Sequence, residues 1–346
     1  MKKIILTVAV FIMLTLYIAS TACAKENMII YSARFGGSQY FAGNVMADLI
    51  NNNSEKYTAT NLETSGSIEN IKQDAGDAKA LAQTIRLVLA INYYAATNGQ
   101  VPFDQKYEDY RVTFSYSASA AGSFVVTDPK IQSVADLAGK KVGVGERGSA
   151  FMNETYFLLE TCLGIWDEVK KEYLGYSAAA DAFMDDLVDA IYAPGNLTSS
   201  GSFNPQGGLQ NMLTLKQGMH IVALDAEEIH HGTDKNNWPR FPMMQMKANA
   251  IAPNFPDKPK NCFLIQLVAL VHKSVPEEMV YELVKLCAEN PERFREAHVN
   301  LSIMSPEVMA WLPVKTEAEI HPGALRYYKE QNIPLLINGA TPDIIP

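Results

Sequence analysis

VGVGERGSAF, residues 142–151, joins a β-forming run to a helical pattern through three glycines and a serine. The surrounding residues predict a strand that ends in this loop and a helix that follows it over 150–163. Gly143, Gly145 and Gly148 spell G-x-G-x-x-G, the fingerprint of a dinucleotide-binding turn. Any strand that turns sharply into a packed helix also favours glycine there, so the motif alone leaves both interpretations open.

The N-terminus has the three parts of a secretory signal peptide. Two lysines follow the first methionine, and then come an apolar run and a group of small residues. We therefore predict a signal peptide over 1–24, cleavage before Lys25 and a periplasmic location. Attachment of a lipid at Cys23 is the alternative, but such signals usually carry an aliphatic residue three positions before the cysteine, where this chain has Ser20.

Export disfavours the dinucleotide interpretation, because NAD is not normally recycled as a cofactor outside the cytoplasm. The motif also requires an acidic residue about 20 positions further on. Glu168 and Glu172 lie in that region, but within a polar helical pattern. We therefore predict neither a cofactor nor an enzyme.

His230 and His231 are adjacent on a predicted loop and do not predict a metal site, and no Ser-His-Asp or Cys-His arrangement can be placed.

The overall composition is that of an ordinary globular protein of about two domains. Hydrophobic residues make up 48% of the 346 residues, charged residues 19%, and the formal net charge is −9. Such an acidic chain lacks the basic surface that nucleic acid requires. Cys162, Cys262 and Cys287 lack metal-ligand spacing, so we expect small core residues, with one disulfide among them left open.

Apolar β-rich runs alternate with helical patterns along the chain, which predicts an α/β fold with parallel sheets. Strands end in glycine- and serine-rich turns before a helix at 36–39, 65–70 and 145–150. In open α/β sheets, ligands lie beyond the carboxyl ends of the strands, where helix N-termini attract anions. Each turn alone also suits helix capping without a ligand, but three together favour one anion site. Residues 196–210 predict a flexible loop.

Three arginines add to the case for an anion. Arg34, Arg86 and Arg147 each lie in or near a glycine turn or at a strand-to-helix transition. A guanidinium binds a carboxylate through two parallel hydrogen bonds, so each arginine is a candidate ligand contact.

Four segments resemble the TAXI family, the extracytoplasmic solute receptors of TRAP transporters. HPGALRYYKE at 321–330 looks like that family's C-terminal signature, and VADLAGKKVGVGERGSAF at 134–151 is similar to its glycine-loop segment. TSGSIENI at 64–71 and GYSAAADAFMDDLVDAIYAPG at 175–195 are similar to two further blocks. The resemblance covers about residues 28–333.

The resemblance implies a two-lobed periplasmic-binding-protein fold, type II-like, with the ligand cleft between the lobes. We expect the first lobe to comprise residues 25–114 and 246–346, and the second 115–245. The resemblance also implies a receptor that captures a small organic anion, such as a dicarboxylate, a keto acid or glutamate, and delivers it to the membrane subunits of the transporter. We expect a monomer. A receptor for a membrane sensor kinase is the alternative from the same fold, and an exported enzyme using the glycine loop is the third hypothesis.

Carried over by position, the resemblance implies binding residues in three loops and on one strand. Departures from the family pattern bear on the ligand: Ile85 and Arg86 stand where an acid is common, and Glu146 and Arg147 where prolines are frequent. The lost acid and added arginines shift the expected ligand from glutamate towards a di- or tricarboxylate without an amino group. The candidate ligand-binding residues are Arg34, Gly37, Ser38, Tyr40, Ser65, Gly66, Ser67, Asn70, Gln83, Thr84, Arg86, Arg147, Gly148 and Ser149.

Overall fold

A computed structural model describes residues 25–205 and 208–343 of the chain. The predicted signal peptide over 1–24, and with it the alternative lipid site at Cys23, lies outside the described residues. Within the two described ranges, none of the helices has the length and apolar character that crossing a membrane requires.

Strands and helices alternate along most of the chain, as the sequence predicts. The strands are β1 (Glu26–Tyr31), β2 (Tyr57–Leu62), β3 (Thr84–Leu89), β4 (Tyr110–Ala121), β5 (Ser123–Val126), β6 (Lys141–Gly143), β7 (Lys170–Glu172), β8 (Ala190–Tyr192), β9 (Gly195–Leu197), β10 (Phe203–Pro205), β11 (His220–Ala223), β12 (Met243–Met246) and β13 (Lys260–His272).

Most helices follow a strand directly. They are α1 (Ser38–Asn53), α2 (Ser67–Lys72), α3 (Ala78–Leu81), α4 (Ala90–Asn98), α5 (Ala150–Tyr156, continued as a π-helix over Phe157–Cys162), α6 (Tyr176–Met184), α7 (Leu209–Leu215), α8 (Ala226–Lys235), α9 (Glu277–Glu289), α10 (Pro291–Ala297), α11 (Pro306–Met309) and α12 (Pro322–Glu330). Short 3₁₀ turns lie at Val134–Leu137, Val299–Leu301 and Glu317–Glu319.

Two sheets divide the α/β fold into two lobes. The larger sheet has the order β10-β9-β4-β13-β3-β1-β2, with β12 pairing along β13, and the smaller has the order β11-β5-β8-β6-β7. Each sheet contains a group of parallel strands from which loops lead into helices. In the larger sheet β1 pairs with β2 and β3, and in the smaller sheet β6 pairs with β7 and β8. The predicted two-lobed α/β fold with parallel pairing is therefore confirmed.

A long antiparallel pair, β4 with β13, forms the centre of the larger sheet. Strand β13 is buried along almost its whole length, because its apolar run is covered on both faces. Gly122 links β4 to the first strand of the smaller sheet. Its φ is +94°, and a Cβ there would lie 2.9 Å from the ring of Phe263, so the chain passes between the lobes at a position that glycine alone fits well.

The segment 196–210 differs from its prediction as a flexible loop. Strands β9 and β10 form a hairpin, and β9 pairs with Ser119 and Ala120 at the end of β4. The loop prediction is therefore wrong for the strand residues 196–197 and 203–205 and for residues 209–210, where α7 begins. The hairpin belongs to the larger sheet although it falls within the range predicted for the second lobe, and the lobe boundaries themselves stay a prediction.

The three cysteines of the described residues, Cys162, Cys262 and Cys287, are free and buried. Burial raises the pKa of each thiol, which keeps it protonated and unreactive. Their prediction as small core residues is confirmed, and they do not form the disulfide that the sequence left open.

Candidate functional site

A cavity of about 610 Å³ lies between the two lobes, at the carboxyl ends of the parallel strands. Its walls include the loops that follow β1 and β2 in the larger sheet and the loops that follow β6 and β7 in the smaller one. Each of these loops leads directly into a helix. This is the place where open α/β sheets bind ligands, and both lobes contribute to it.

Half of the predicted site residues line this cleft. An adjoining cavity of about 440 Å³ shares Arg34, Ser65 and Ser149 with it and extends along the glycine loop of the second lobe. The predicted residues at the main cavity are Arg34, Gly37, Ser38, Ser65, Gly66, Ser67 and Ser149, and those at the adjoining cavity alone are Arg147 and Gly148.

Two serines from opposite lobes place hydroxyl groups at the cleft. The Ser67 Oγ accepts a hydrogen bond from the Leu89 N–H at 3.1 Å, and the Ser149 Oγ accepts one from the Met152 N–H at 3.2 Å. Because each oxygen already serves as an acceptor, its own proton remains available for an acceptor on a ligand. Both hydroxyls are therefore suited to bind an anion.

Ser65 also lines the cleft, but its polar groups already have a partner. Its N–H and hydroxyl both donate to the Glu69 carboxylate, at 2.7 and 2.5 Å. These bonds lower the pKa of Glu69 and keep it ionised. Ser65 therefore shapes the wall of the cleft, and its donors are directed towards Glu69.

The two arginines at the cleft are exposed, and both line the cavities. Arg34 lines both cavities, and Arg147 lies over the ring of Tyr173, with its guanidinium carbon 3.6 Å from the ring centre. Stacking of this kind orients a guanidinium without using its N–H donors, which remain free for a carboxylate.

Helix N-termini add a further positive potential. Helices α1, α5 and α6 all begin at the cleft, and none has an acidic residue in its first turn. No acidic side chain therefore compensates the dipoles of these helices, although the Ser149 hydroxyl caps one N–H of α5, and this condition favours an anion.

Three predicted site residues form hydrogen bonds within the first lobe. The Asn70 side-chain amide donates to the carbonyls of Tyr31, Ser32 and Leu87, where it ties α2 to the sheet. Thr84 donates to the carbonyl of Ala80 at 2.6 Å, and the carbonyl of Gln83 accepts from the Ile29 N–H. The structure does not place Asn70, Gln83 or Thr84 at the cavity walls.

Arg86 and Tyr40 also lie apart from the cleft walls. Arg86 is fully buried, forms an ion pair with Asp74 at 3.2 Å and packs against the ring of Tyr110. Burial lowers its pKa, while Tyr110 and Asp74 favour the charged form. Because Asp74 satisfies its charge within the lobe, Arg86 has a structural role. Tyr40 packs its ring against Phe35, and Phe35 lines the main cavity.

The structure adds site residues that the sequence did not single out. His298 stacks on Phe41, with ring centres 4.7 Å apart, and its Nδ1 accepts from the Asn300 N–H. Burial lowers the pKa of His298, so the neutral ring carries its proton on Nε2. The further polar residues that line the main cavity are Gln39, Ser119, Tyr176, Ser177, Asn204, Gln210 and Asn300.

The polar groups that line the main cavity can bind an anion through hydrogen bonds. Ser67 and Ser149 have no described histidine or carboxylate as a partner, whereas Ser65 donates its hydroxyl to the Glu69 carboxylate. The described part of the chain contains no group of histidine, cysteine and acidic residues that could hold a metal ion. The cleft contains hydroxyl, N–H and guanidinium donors from both lobes that can bind an anion.

Comparison with known proteins gives a family and a set of similar structures. The model of the NMT1-like family matches residues 30–331. The aliphatic sulphonate binding protein SsuA from Escherichia coli has a TM-score of 0.44 and 15% identity over 91% of this chain and 96% of that one. MatC from Rhodopseudomonas palustris, with bound malate, has a TM-score of 0.49 and 11% identity over 89% and 96%. A TctC solute binding protein from Polaromonas has a TM-score of 0.44 and 14% identity over 90% and 99%.

Proposed function

The chain belongs to the NMT1-like family, and we propose that it is an extracytoplasmic solute-binding receptor that holds a small organic anion between its two lobes. One observation carries the proposal. The main cavity is lined from both lobes by hydroxyl donors, helix N-termini and Arg34, while no acidic residue is among its described wall residues. A cavity of about 610 Å³ has the size of a small-molecule site.

Binding acts through closure of the lobes. An anion in the cleft contacts Arg34 and Ser67 from one side and Ser149 from the other, so it binds the closed form more tightly than the open form. The proposed lobes are 25–114 with 246–346, and 115–245. The proposed ligand contacts are Arg34, Gly37, Ser38, Gly66, Ser67, Arg147, Gly148 and Ser149.

The resemblance of the sequence to TAXI receptors supports a location in the periplasm and a TRAP-type membrane transporter as the partner. In that role the closed, loaded form presents the ligand to the membrane subunits. A receptor that signals to a membrane sensor kinase uses the same cleft and the same closure. Uptake of the ligand by vesicles that contain the membrane subunits, only when this protein is added, distinguishes transport from signalling.

Thermal stabilisation by ligands tests the receptor proposal. The panel comprises paired mono- and dicarboxylates of four, six and eight carbons, 2-oxoglutarate, glutamate and small sulfonates. We expect at least one anion to raise the melting temperature, since a ligand at about 100 times its Kd stabilises the folded state by about 2.7 kcal/mol. If none of these anions stabilises the protein, the receptor proposal is refuted.

A substitution within the cleft tests the site. Ser177 is exposed and lines both cavities, so Ser177→Trp fills the cleft without disturbing the core. The matched control is Ala78→Trp, at an exposed first-turn position of α3. We expect Ser177→Trp to abolish the ligand-induced shift and Ala78→Trp to retain it. Equal shifts in both variants would show that the anion binds elsewhere.

A further inference from the structure

The cleft continues at both ends into further cavities. At one end is the cavity of about 440 Å³ beside the glycine loop, which shares Arg34 and Ser149 with the main cavity. At the other end is a cavity of about 560 Å³, which shares Asn204, Pro205 and Gln210 with the main cavity. The two end cavities share no wall residue with each other, and we refer to the main cavity and the two cavities that adjoin it as the groove.

All charged side chains on the described walls of this groove lie towards one end. They are Arg34, Glu146 and Arg147. Two arginines and one glutamate leave one formal positive charge, and no ion pair joins any of the three to a described residue within 4 Å. The glycine-loop end is therefore suited to one negative charge.

The opposite end is uncharged along its described walls. Asn204 donates its amide to Asn300 at 2.7 Å, and Leu213, Ile251 and Val299 supply apolar surface. The titratable ring of His298 lies between the two ends and is neutral, because burial lowers its pKa. An anionic group placed at this end would lose water without gaining a cation, which is costly.

We propose that the ligand is a monoanion, with its acid group between Arg34 and Arg147 and an uncharged, partly apolar body that extends towards Asn204 and Gln210. The inference rests on the proposed receptor function and narrows its ligand class. It differs from the dicarboxylate that the sequence led us to expect, since a second carboxylate finds no cation along the described walls of the rest of the groove.

The paired acids of the ligand panel provide the test: butyrate with succinate, hexanoate with adipate, and octanoate with suberate. Each pair shares a chain length and differs in the second charge. Calorimetric titration at neutral pH gives the two dissociation constants. We expect the monoacid of the best-binding pair to bind at least about tenfold more tightly than its diacid, equivalent to about 1.4 kcal/mol. A diacid that binds as tightly or more tightly overturns the inference and leaves the receptor proposal standing. Absence of binding by every anion refutes both.

Four exposed positions, one of them a control, test the direction of the ligand. Arg34→Gln and Arg147→Gln should each weaken binding of the monoacid about tenfold, whereas Arg293→Gln, on α10 and away from the groove, should leave it unchanged. Gln210→Lys places a cation at the neutral end. We expect this variant to shift the ratio of affinities towards the diacid by about tenfold, and an unchanged ratio would contradict the assigned direction.

Discussion

Gly145 is the position in the strand-to-helix loop where a single methyl group should cost the most stability. Its φ is +93°, and a Cβ there would lie 2.6 Å from the Met152 nitrogen and 3.0 Å from the Phe151 carbonyl carbon. Both contacts are to backbone atoms at the start of α5, which cannot rotate away. Gly148 provides the matched control, because its φ is +79° but no atom lies within 4 Å of its Cβ position.

The difference between these two glycines sets the expected magnitude. Alanine in the left-handed region costs about 1–2 kcal/mol at either position. Overlap with fixed atoms typically costs about 1–3 kcal/mol more, and only Gly145→Ala incurs it. We therefore expect a loss of about 2–5 kcal/mol for Gly145→Ala and about 1–2 kcal/mol for Gly148→Ala.

Urea denaturation of the unliganded protein measures both losses. The unfolding midpoint should fall further for Gly145→Ala, with the same slope as the wild type if the native state remains compact. Equal losses for the two variants would refute the close approach of the loop to α5. A larger loss for Gly148→Ala would show that the open side of the loop is in fact packed.

Two buried polar contacts of α5 give further predictions. Burial raises the pKa of Glu154 to about 8, and Tyr192 donates to its Oε2. Unfolding releases this proton between the ordinary glutamate pKa and about 8, so wild-type stability falls as pH rises through that window. Glu154→Gln should remove this loss. Its free energy of unfolding, measured with urea, should exceed that of the wild type by a few kcal/mol at pH 8 but by little at pH 5. Parallel pH profiles for the two proteins would contradict the buried, protonated state. Asn153 of α5 donates to Asn92 of α4 at 2.9 Å, and this bond joins the two lobes. Asn92→Ala should cost about 1–3 kcal/mol because it leaves a buried amide unpaired, and a loss below about 0.5 kcal/mol would show that water replaces the partner.

The sequence predicts the elements of the fold well where local signals are strong. The alternation of β-forming runs with helical patterns, and the glycine turns between them, are local properties that persist in the structure. The strand predicted to end in the glycine loop already ends at Gly143, because the chain turns into the left-handed region two residues later. Small differences of this kind arise where a glycine, rather than the hydrophobic pattern, determines the backbone conformation.

Tertiary partners explain what the sequence did not predict. The β9–β10 hairpin has strands of only three residues, with serine and glycine between them, and only its pairing with β4 identifies it as part of a sheet. The sequence around Arg86 is typical of a residue that contacts an anion. In the structure, however, Asp74, twelve residues before it, neutralises the charge of Arg86 inside the lobe. His298 lies far along the chain from every loop of the predicted site, and no local pattern marks it.

The glycine loop also shows why its fingerprint does not indicate a dinucleotide. In the cofactor-binding turn, the second glycine leaves room for a pyrophosphate to approach the backbone. Here the space beside Gly145 is filled by the backbone of α5 itself, through Met152 and Phe151. The closely packed glycine thus brings the helix against the end of its strand, and the open side of the loop lies at Gly148 and Ser149, beside the cleft. The residues of the motif therefore place a helix N-terminus and one hydroxyl beside the cleft, where we propose that an anion smaller than a dinucleotide binds.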